Sequence, residues 1–336
     1  MAGSYPKIET KLTSLLHIDY PMIMAPMFLV TNDKMMIEAL NSGIAAAVPA
    51  LNYRTIAELK NAINNIRTYA KGPIGINLIV NKSNISYPEQ LNCCIEMKVD
   101  FIITSLGSPE EVIQKCKPVG IKVFCDVVDE VYAKKVADLG ADAVIAVNNE
   151  AGGHCGNLDA VTLIKKIKSV CSIPVISAGG VGNGAQMFTR IDVDGACGVS
   201  VGSPFIATTE SRVSEDYKNA CVSYGAKDIV MTTKISGTPC TVINTPYVQK
   251  IGTQQNWLEA LLSKNKTLKK YIKMFTFLKG MKAVEKAAMS ATYKTVWVAG
   301  KTIEYVNAIR PTKEIVESFI EGYYEELGRH FNSRRT

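Results

Sequence analysis

The sequence predicts an α/β protein of the (β/α)8 class, a TIM barrel, and three observations favour this fold. Eight short apolar runs recur at intervals of roughly 20 to 30 residues. Each run is apolar at consecutive positions, which is typical of strands that are buried on both faces of a parallel sheet. The segments between the runs carry helix start and stop signals, and eight strands alternating with helices are the number that closes a barrel.

The eight predicted strands follow one another through the first two thirds of the chain. They begin near positions 22, 44, 74, 101, 122, 143, 174 and 197 and read MIMA, IAAAV, IGINLI, FIITS, KVFCDV, AVIAV, PVISA and CGVSV. Helices are predicted between them because capping residues precede these segments and glycine or proline follows them. The clearest predicted helices begin after Asn32, at Thr55, after Pro109, at Asp129 and at Asp159.

A doubly wound sheet is the alternative architecture for this alternation. That fold usually has fewer strands and a glycine-rich turn after the first one. Here the first strand runs into Ala25-Pro26-Met27, with no GxGxxG. The barrel is therefore the preferred prediction.

The regular alternation ends after Glu210, and this change predicts three parts. Residues 1–214 form the barrel, residues 215–300 a mainly helical subdomain after strand eight, and residues 301–336 a C-terminal segment that packs back on the barrel. The helical subdomain is predicted from Lys-rich amphipathic stretches at 257–278 and 280–289. The stretch 311–327 is predicted as the helix that returns to the barrel.

Composition excludes several classes of protein. Lys plus Arg exceed Asp plus Glu by 38 − 31 = 7, but the excess is spread along the chain without a nucleic-acid recognition motif. No apolar stretch reaches the ~18 residues of a membrane span, and the N-terminus lacks a signal-peptide core. The nine cysteines form no CxxC pair, which favours reduced thiols in a cytoplasmic protein. The three histidines and scattered cysteines have no zinc-site spacing, so no metal site is expected.

The glycines after the seventh and eighth predicted strands indicate an anion site. Gly179-Gly180 and Gly202-Ser203 stand where many barrels bind a phosphate through backbone N–H groups. Glycine lets the backbone approach the anion because no Cβ intervenes. The ligand would be flavin mononucleotide (FMN) or a phosphorylated substrate. The alternative interpretation is that these glycines only form tight turns.

His154 is the candidate catalytic residue. It stands in Gly152-Gly153-His154-Cys155-Gly156, after the sixth predicted strand, where the glycines allow the chain to lie against a planar ligand. Histidine titrates near neutral pH, which suits a general base or a group that stabilises an anion. The alternative is a loop histidine with a structural hydrogen bond.

These motifs together resemble the nitronate monooxygenase family, formerly called 2-nitropropane dioxygenases. They also resemble its relatives, the flavin-dependent enoyl-acyl-carrier-protein reductases and some NADH:quinone reductases. The segments that carry the resemblance are PMIMAPM at 21–27, GINL at 75–78, EAGGH at 150–154, PVISAGGV at 174–181 and GSPF at 202–205.

The resemblance implies FMN as the cofactor and a role for each of these motifs. Ala25, Pro26 and Met27 would line the flavin ring, Asn77 would hydrogen-bond the flavin or its ribityl chain, and Gly152 would lie against it. His154 would act as base or anion stabiliser. The phosphate would be bound by Gly179 and Gly180 together with Ser200, Val201, Gly202 and Ser203.

Three positions depart from the family pattern. Many relatives have Gln-Gly before the EAGGH loop, where this chain has Val147-Asn148, and Asn148 or Asn149 is the candidate substitute for the Gln. Cys155 stands where a basic residue is usual, and Lys301 where Gln is frequent. These changes leave the substrate open.

The leading predicted function is FMN-dependent oxidation of an alkyl nitronate by O2 to a carbonyl compound and nitrite. The alternative is an NADH-dependent FMN reductase of an enoyl thioester or a quinone. A phosphate-binding barrel without redox chemistry and a non-catalytic flavin carrier are weaker alternatives. The expected partners are a small nitronate or nitroalkane and O2, and a homodimer is one option for the assembly.

Overall fold

A computed structural model describes residues 5–81, 84–233, 239–254 and 296–333, and it confirms the predicted barrel. Eight parallel strands close in the order β1-β2-β3-β4-β5-β6-β8-β9, and β9 returns to pair with β1. Every apolar run predicted as a strand forms one. The barrel strands are β1 Met22–Met24, β2 Ala45–Pro49, β3 Ile74–Ile79, β4 Phe101–Ser105, β5 Lys122–Val127, β6 Ala143–Val147, β8 Val175–Ala178 and β9 Gly198–Val201.

Helices precede β1 and fill the connections between most successive strands. They are α1 Lys11–Leu16, α2 Asp33–Asn41, α3 Ile56–Tyr69, α4 Tyr87–Glu96, α5 Glu110–Cys116, α6 Glu130–Asp138, α7 Ala160–Val170 and α8 Gly184–Phe188. Their starts follow from the predicted caps: the side chains of Asn32, Thr55, Asp129 and Asp159 each accept a backbone N–H of the first turn.

The barrel interior is filled by side chains and is not an open pore. Phe101 and Phe124 pack against each other with ring centroids 5.2 Å apart. Gly75 makes room for them, because a Cβ at that position would overlap the Phe101 ring and lie 2.8 Å from the Ala47 Cβ. Because side chains fill the barrel interior, a ligand is expected at the carboxyl ends of the strands.

The described residues between β9 and position 254 form two α-helices, α9 Glu215–Ser223 and α10 Pro246–Ile251, and also two short strands. β10 Ile229–Thr232 and β11 Cys240–Ile243 form an antiparallel sheet with β7 Gly153–His154 from the loop after β6. These strands were not predicted from the sequence. The stretches 257–278 and 280–289, predicted as helical, lie outside the described residues.

The predicted C-terminal helix is present as α11, which runs Thr312–Ser333. It packs closely on α8, since a Cβ on Gly184 would overlap the backbone of Phe319 and Tyr323. The Tyr324 hydroxyl donates to the Pro6 carbonyl over 2.8 Å, which ties this helix to the start of the described chain. Within the described ranges, no helix has the length and apolar character needed to cross a membrane.

Candidate active site

A cavity of about 970 Å³ opens at the carboxyl ends of the barrel strands. All of the site residues predicted from the sequence line it, although they come from five different segments of the chain. These residues are Ala25, Pro26, Met27, Asn77, Gly152, His154, Gly179, Gly180, Ser200, Val201, Gly202 and Ser203.

The turn after β1 is held by two polar side chains beneath it. The Thr31 hydroxyl accepts the Met27 N–H at 2.9 Å and donates to the Ala25 carbonyl at 3.1 Å. The Asn52 amide donates to the carbonyls of Met27 and Thr31. Ala25, Pro26 and Met27 are therefore fixed, half-buried, on the cavity wall.

The glycines after β8 and β9 present backbone donors to the cavity. Within the part of the chain that the structure describes, the N–H groups of Gly179, Gly180 and Gly202 donate to no protein acceptor. Unpaired backbone donors of this kind are the elements of an anion-binding concavity. The geometry is therefore compatible with a phosphate at this position.

Gly179 and Gly180 are glycines for reasons beyond the approach of an anion. Both have positive φ values, +104° and +72°, which residues other than glycine rarely adopt. A Cβ at Gly179 would overlap the Asn148 amide, and one at Gly180 would overlap the Glu150 carboxylate. Substitution at either position therefore strains the backbone and displaces the loop after β6.

The residues around Gly202 contribute in different ways. Val201 belongs to the outer core of the barrel, so only its backbone can contact a ligand. The Ser203 hydroxyl accepts the Gly300 N–H at 2.8 Å, and Gly152 packs here because a Cβ would lie 2.8 Å from that nitrogen. Ser200 lies on the cavity wall without such a bond.

His154 is held over the cavity by a strand from the segment after the barrel. In the β7–β11 pairing, His154 lies opposite Cys240 and Gly153 opposite Thr241. The Thr241 hydroxyl accepts the Gly153 N–H at 2.9 Å and donates to the Ala151 carbonyl at 3.0 Å. We call this pair of bonds the Thr241 clamp.

Burial lowers the pKa of His154 below its usual 6.5. The ring is open to the cavity but surrounded by protein, and this environment disfavours the charged imidazolium. The neutral imidazole is therefore the main form at pH 7, which suits a base or a hydrogen-bonding group more than a permanent cation.

A chain of hydrogen bonds crosses the floor of the cavity over three neighbouring strands. The Asn77 amide on β3 donates to the Ile103 carbonyl at 3.1 Å and to the Ser105 hydroxyl on β4 at 2.7 Å. That hydroxyl donates to the Asp126 carboxylate on β5 at 2.5 Å. Burial raises the pKa of Asp126 to about 6.

Asp126 and Ser105 were not selected as site residues from the sequence, although both stand at predicted strand ends. The signal was present, because Asp126 is the only acidic residue in the otherwise largely apolar run KVFCDV. A single carboxylate belongs to no motif, so the sequence alone did not distinguish it from a structural residue.

The three departures from the family pattern have different consequences. Val147 and Cys155 line the cavity, and burial raises the pKa of the Cys155 thiol. Lys301 is exposed and lies outside the lining. Asn148 cannot replace the missing Gln, because its amide is fully buried, donates to the Gly179 carbonyl and accepts the Glu150 N–H.

The cavity wall is poor in positive charge. Among the described lining residues none is Lys or Arg, whereas Asp126, Asp129 and Glu150 are carboxylic acids. Among the described lining residues, the donors for an anion are therefore backbone N–H groups, hydroxyls and the imidazole of His154, and not a Lys or Arg side chain.

A cavity lined by backbone donors and an imidazole at the strand ends of a parallel (β/α)8 barrel lies where enzymes of the barrel class have their active sites. The sequence pattern of nitronate monooxygenase matches residues 9–322. The chain therefore belongs to the nitronate monooxygenase family, and it is an oxidoreductase that acts on small molecules.

Relatives and solved structures agree with this placement. The chain is 28% identical over 300 residues, 88% of its length and 83% of the other protein, to (3aS,4S,5R,7aS)-5-hydroxy-7a-methyl-1-oxo-octahydro-1H-indene-4-carboxyl-CoA dehydrogenase of Rhodococcus jostii (strain RHA1). It is 27% identical over 289 residues to a probable nitronate monooxygenase of Staphylococcus aureus (strain Newman), covering 72% of this chain and 80% of that protein. The structure of FabK from Thermotoga maritima superimposes with a TM-score of 0.84 at 26% identity, covering 97% of this chain and 99% of that one.

Proposed function

We propose that the protein oxidises alkyl nitronates, and nitroalkanes that it first deprotonates, with FMN and O2, to a carbonyl compound and nitrite. The observation that carries the proposal is the neutral imidazole of His154, fixed over the same cavity as the unpaired glycine donors. Membership of the nitronate monooxygenase family supports it.

The residues present fit FMN. The backbone N–H groups of Gly179, Gly180 and Gly202 would hold the phosphate, and Ala25 to Met27 would line the ring. The absence of a GxGxxG turn after the first strand favours the mononucleotide over FAD. The flavin, when bound, supplies an acceptor for two electrons that it can pass to O2.

His154 would act on the proton of a neutral nitroalkane. A neutral imidazole can take the proton from the carbon next to the nitro group, which leaves the nitronate and an imidazolium. A preformed nitronate has already lost that proton and needs no base. The acidic wall is consistent with a substrate that enters as the neutral nitroalkane.

A second candidate is reduction of an enoyl thioester or a quinone with NADH, and one feature of the rim favours it. Leu106 and Val128 line the cavity and are each 44% exposed, which places apolar side chains at its mouth. This apolar rim would suit the carbon chain of a larger substrate. The similarity to a carboxyl-CoA dehydrogenase supports a thioester.

Anaerobic reduction of the flavin separates the two candidates. Nitronate should bleach the FMN absorbance in the absence of oxygen, whereas NADH should not. Rapid bleaching by NADH alone, with none by a nitronate, would establish the second candidate. Chromatography of the cofactor after heat release checks the first requirement, and recovery of FAD would contradict the proposed site.

A further inference from the structure

The hydrogen-bond chain on the cavity floor can be read in only one direction. The Ile103 carbonyl only accepts, so the Asn77 amide must point its NH2 group towards it and towards Ser105. Both N–H groups of Asn77 are thereby used. Ser105 accepts from Asn77, so its own proton goes to Asp126. What remains for a ligand is the Asn77 carbonyl and one oxygen of Asp126.

The cavity floor lies across the barrel from the glycine N–H groups that would bind the phosphate. In the closed strand order, β3 stands opposite β8, and β4 opposite β9. A flavin anchored by its phosphate at β8 and β9 would therefore extend towards Asn77, Ser105 and Asp126. The far end of its ring carries an N–H flanked by two carbonyls, which needs both an acceptor and a donor.

We propose that Asp126 faces this pyrimidine end of the bound flavin and that its protonation state controls how readily the flavin is reduced. The inference rests on FMN binding as proposed above. A protonated Asp126 donates a hydrogen bond to a ring carbonyl and stabilises the electron-rich reduced flavin. An ionised Asp126 repels the negative charge of the reduced ring.

The surroundings make Asp126 suited to this role. Burial raises its pKa to about 6, and the hydrogen bond from Ser105 opposes that rise. Cys125 precedes Asp126 on β5 but does not line the cavity. The other ionisable groups among the described lining residues are Asp129, Tyr132, Glu150, His154, Cys155, Tyr217 and Cys240. Asp126 in turn contributes to the raised pKa values of Cys125 and Tyr132.

The proton count predicts the pH dependence of flavin reduction. Two electrons and one proton enter the flavin, and above the pKa of Asp126 a second proton moves from solvent to its carboxylate. With one proton, the equilibrium constant for reduction falls about tenfold per pH unit, and with two about a hundredfold, because each pH unit per proton is a factor of ten. A carboxylate whose pKa rises when the flavin is reduced gives the steeper dependence just above pH 6.

The experiment compares the FMN-loaded wild type with Asp126→Asn, which keeps an oxygen for the Ser105 bond. Equilibrium reduction with a reference dye, followed by flavin absorbance from pH 5 to pH 8, is expected to show the steeper dependence only in the wild type. Between pH 5 and pH 8, the equilibrium constant for flavin reduction should fall at least about tenfold more in the wild type than in Asp126→Asn. Identical pH profiles for the two proteins would overturn the inference.

Two further variants separate this role from a structural one. Ser105→Ala removes the hydrogen bond that lowers the pKa of Asp126, so the steep region should move to higher pH. Asp129→Asn removes a nearby charge but keeps the oxygen that caps α6, and its profile should match the wild type. A change in Asp129→Asn as large as in Asp126→Asn would contradict a specific role.

Failure of this inference and failure of the proposed function give different results. A protein that binds no FMN would overturn both. A protein that binds FMN and retains the Asp126-dependent profile, but does not react with nitronates, would overturn only the proposed function.

Discussion

The Thr241 clamp is the most direct test of how His154 is positioned. Thr241→Val keeps the branched shape of the side chain, which suits a strand, and removes the hydroxyl that bonds both Gly153 and Ala151. Thr241→Ser is the matched control, because it keeps the hydroxyl and loses only a methyl group. The two variants together isolate the hydrogen bonds from the packing.

The expected cost follows from the two lost bonds. Each contributes about 0.5–1.5 kcal/mol, so the pair is worth about 1–3 kcal/mol. Ala151 is buried, which leaves its carbonyl without ready access to water. We expect the free energy of unfolding to fall by about that amount. A loop displaced by about 1 Å should also lower kcat/KM by up to about a hundredfold.

Denaturant unfolding and steady-state turnover of the preferred substrate measure the two effects. Thr241→Ser should remain close to the wild type in both. If Thr241→Val loses stability but keeps wild-type kcat/KM, the clamp supports the fold without positioning His154. If it matches the wild type in both measurements, these hydrogen bonds neither stabilise the fold nor position His154.

Three further predictions test other parts of the structure. His154→Ala should lower turnover of a neutral nitroalkane by about 10²–10⁴-fold and turnover of a preformed nitronate much less, and it should still bind FMN. Equal losses on the two substrates would mean that His154 is not the base. In the wild type, burial lowers the pKa of His154, so the rate with a neutral nitroalkane should rise with pH, reach half its maximum below pH 6.5 and then stay level; His154→Ala should lack this rise. Gly184→Ala should destabilise the protein by about 1–3 kcal/mol, because its Cβ would overlap the α11 backbone. Gly328→Ala should stabilise it by about 0.5–1 kcal/mol, because a Cβ there has nothing within 4 Å. Thermal unfolding of the two variants measures both effects.

The barrel could be predicted because its strands are unambiguous. Runs such as IAAAV and AVIAV are apolar at every position, and only strands covered on both faces need that pattern. The strands β10 and β11 could not be recognised in the same way. They are four residues each, and β10 mixes exposed and half-buried positions. β11 pairs with β7, which joins parts of the chain that are about 90 residues apart, as in the bond from Thr241 to Ala151.

The candidate site was predicted where residues carry a local motif and missed where they act through distant contacts. The glycines and His154 stand at predictable strand ends, but the structure adds that Gly180 is also required by its φ of +72°. Asn148 or Asn149 was expected to replace a ligand-binding Gln, yet the amide of Asn148 is used within the loop. Whether an amide faces a ligand or the backbone depends on tertiary contacts that spacing along the chain does not encode.

The origin of β11 has a consequence for the order in which the protein forms during synthesis. All eight barrel strands precede Cys240 in the chain and are synthesised first, so the barrel strands can pair while β7 still lacks its partner. A nascent chain at that stage has the glycine N–H groups and the cavity floor, but it lacks the β7–β11 pairing that holds His154 over the cavity. A flavin captured then would be open to solvent and to unproductive reaction with oxygen. The chain thus completes the covering wall only after the barrel that it covers.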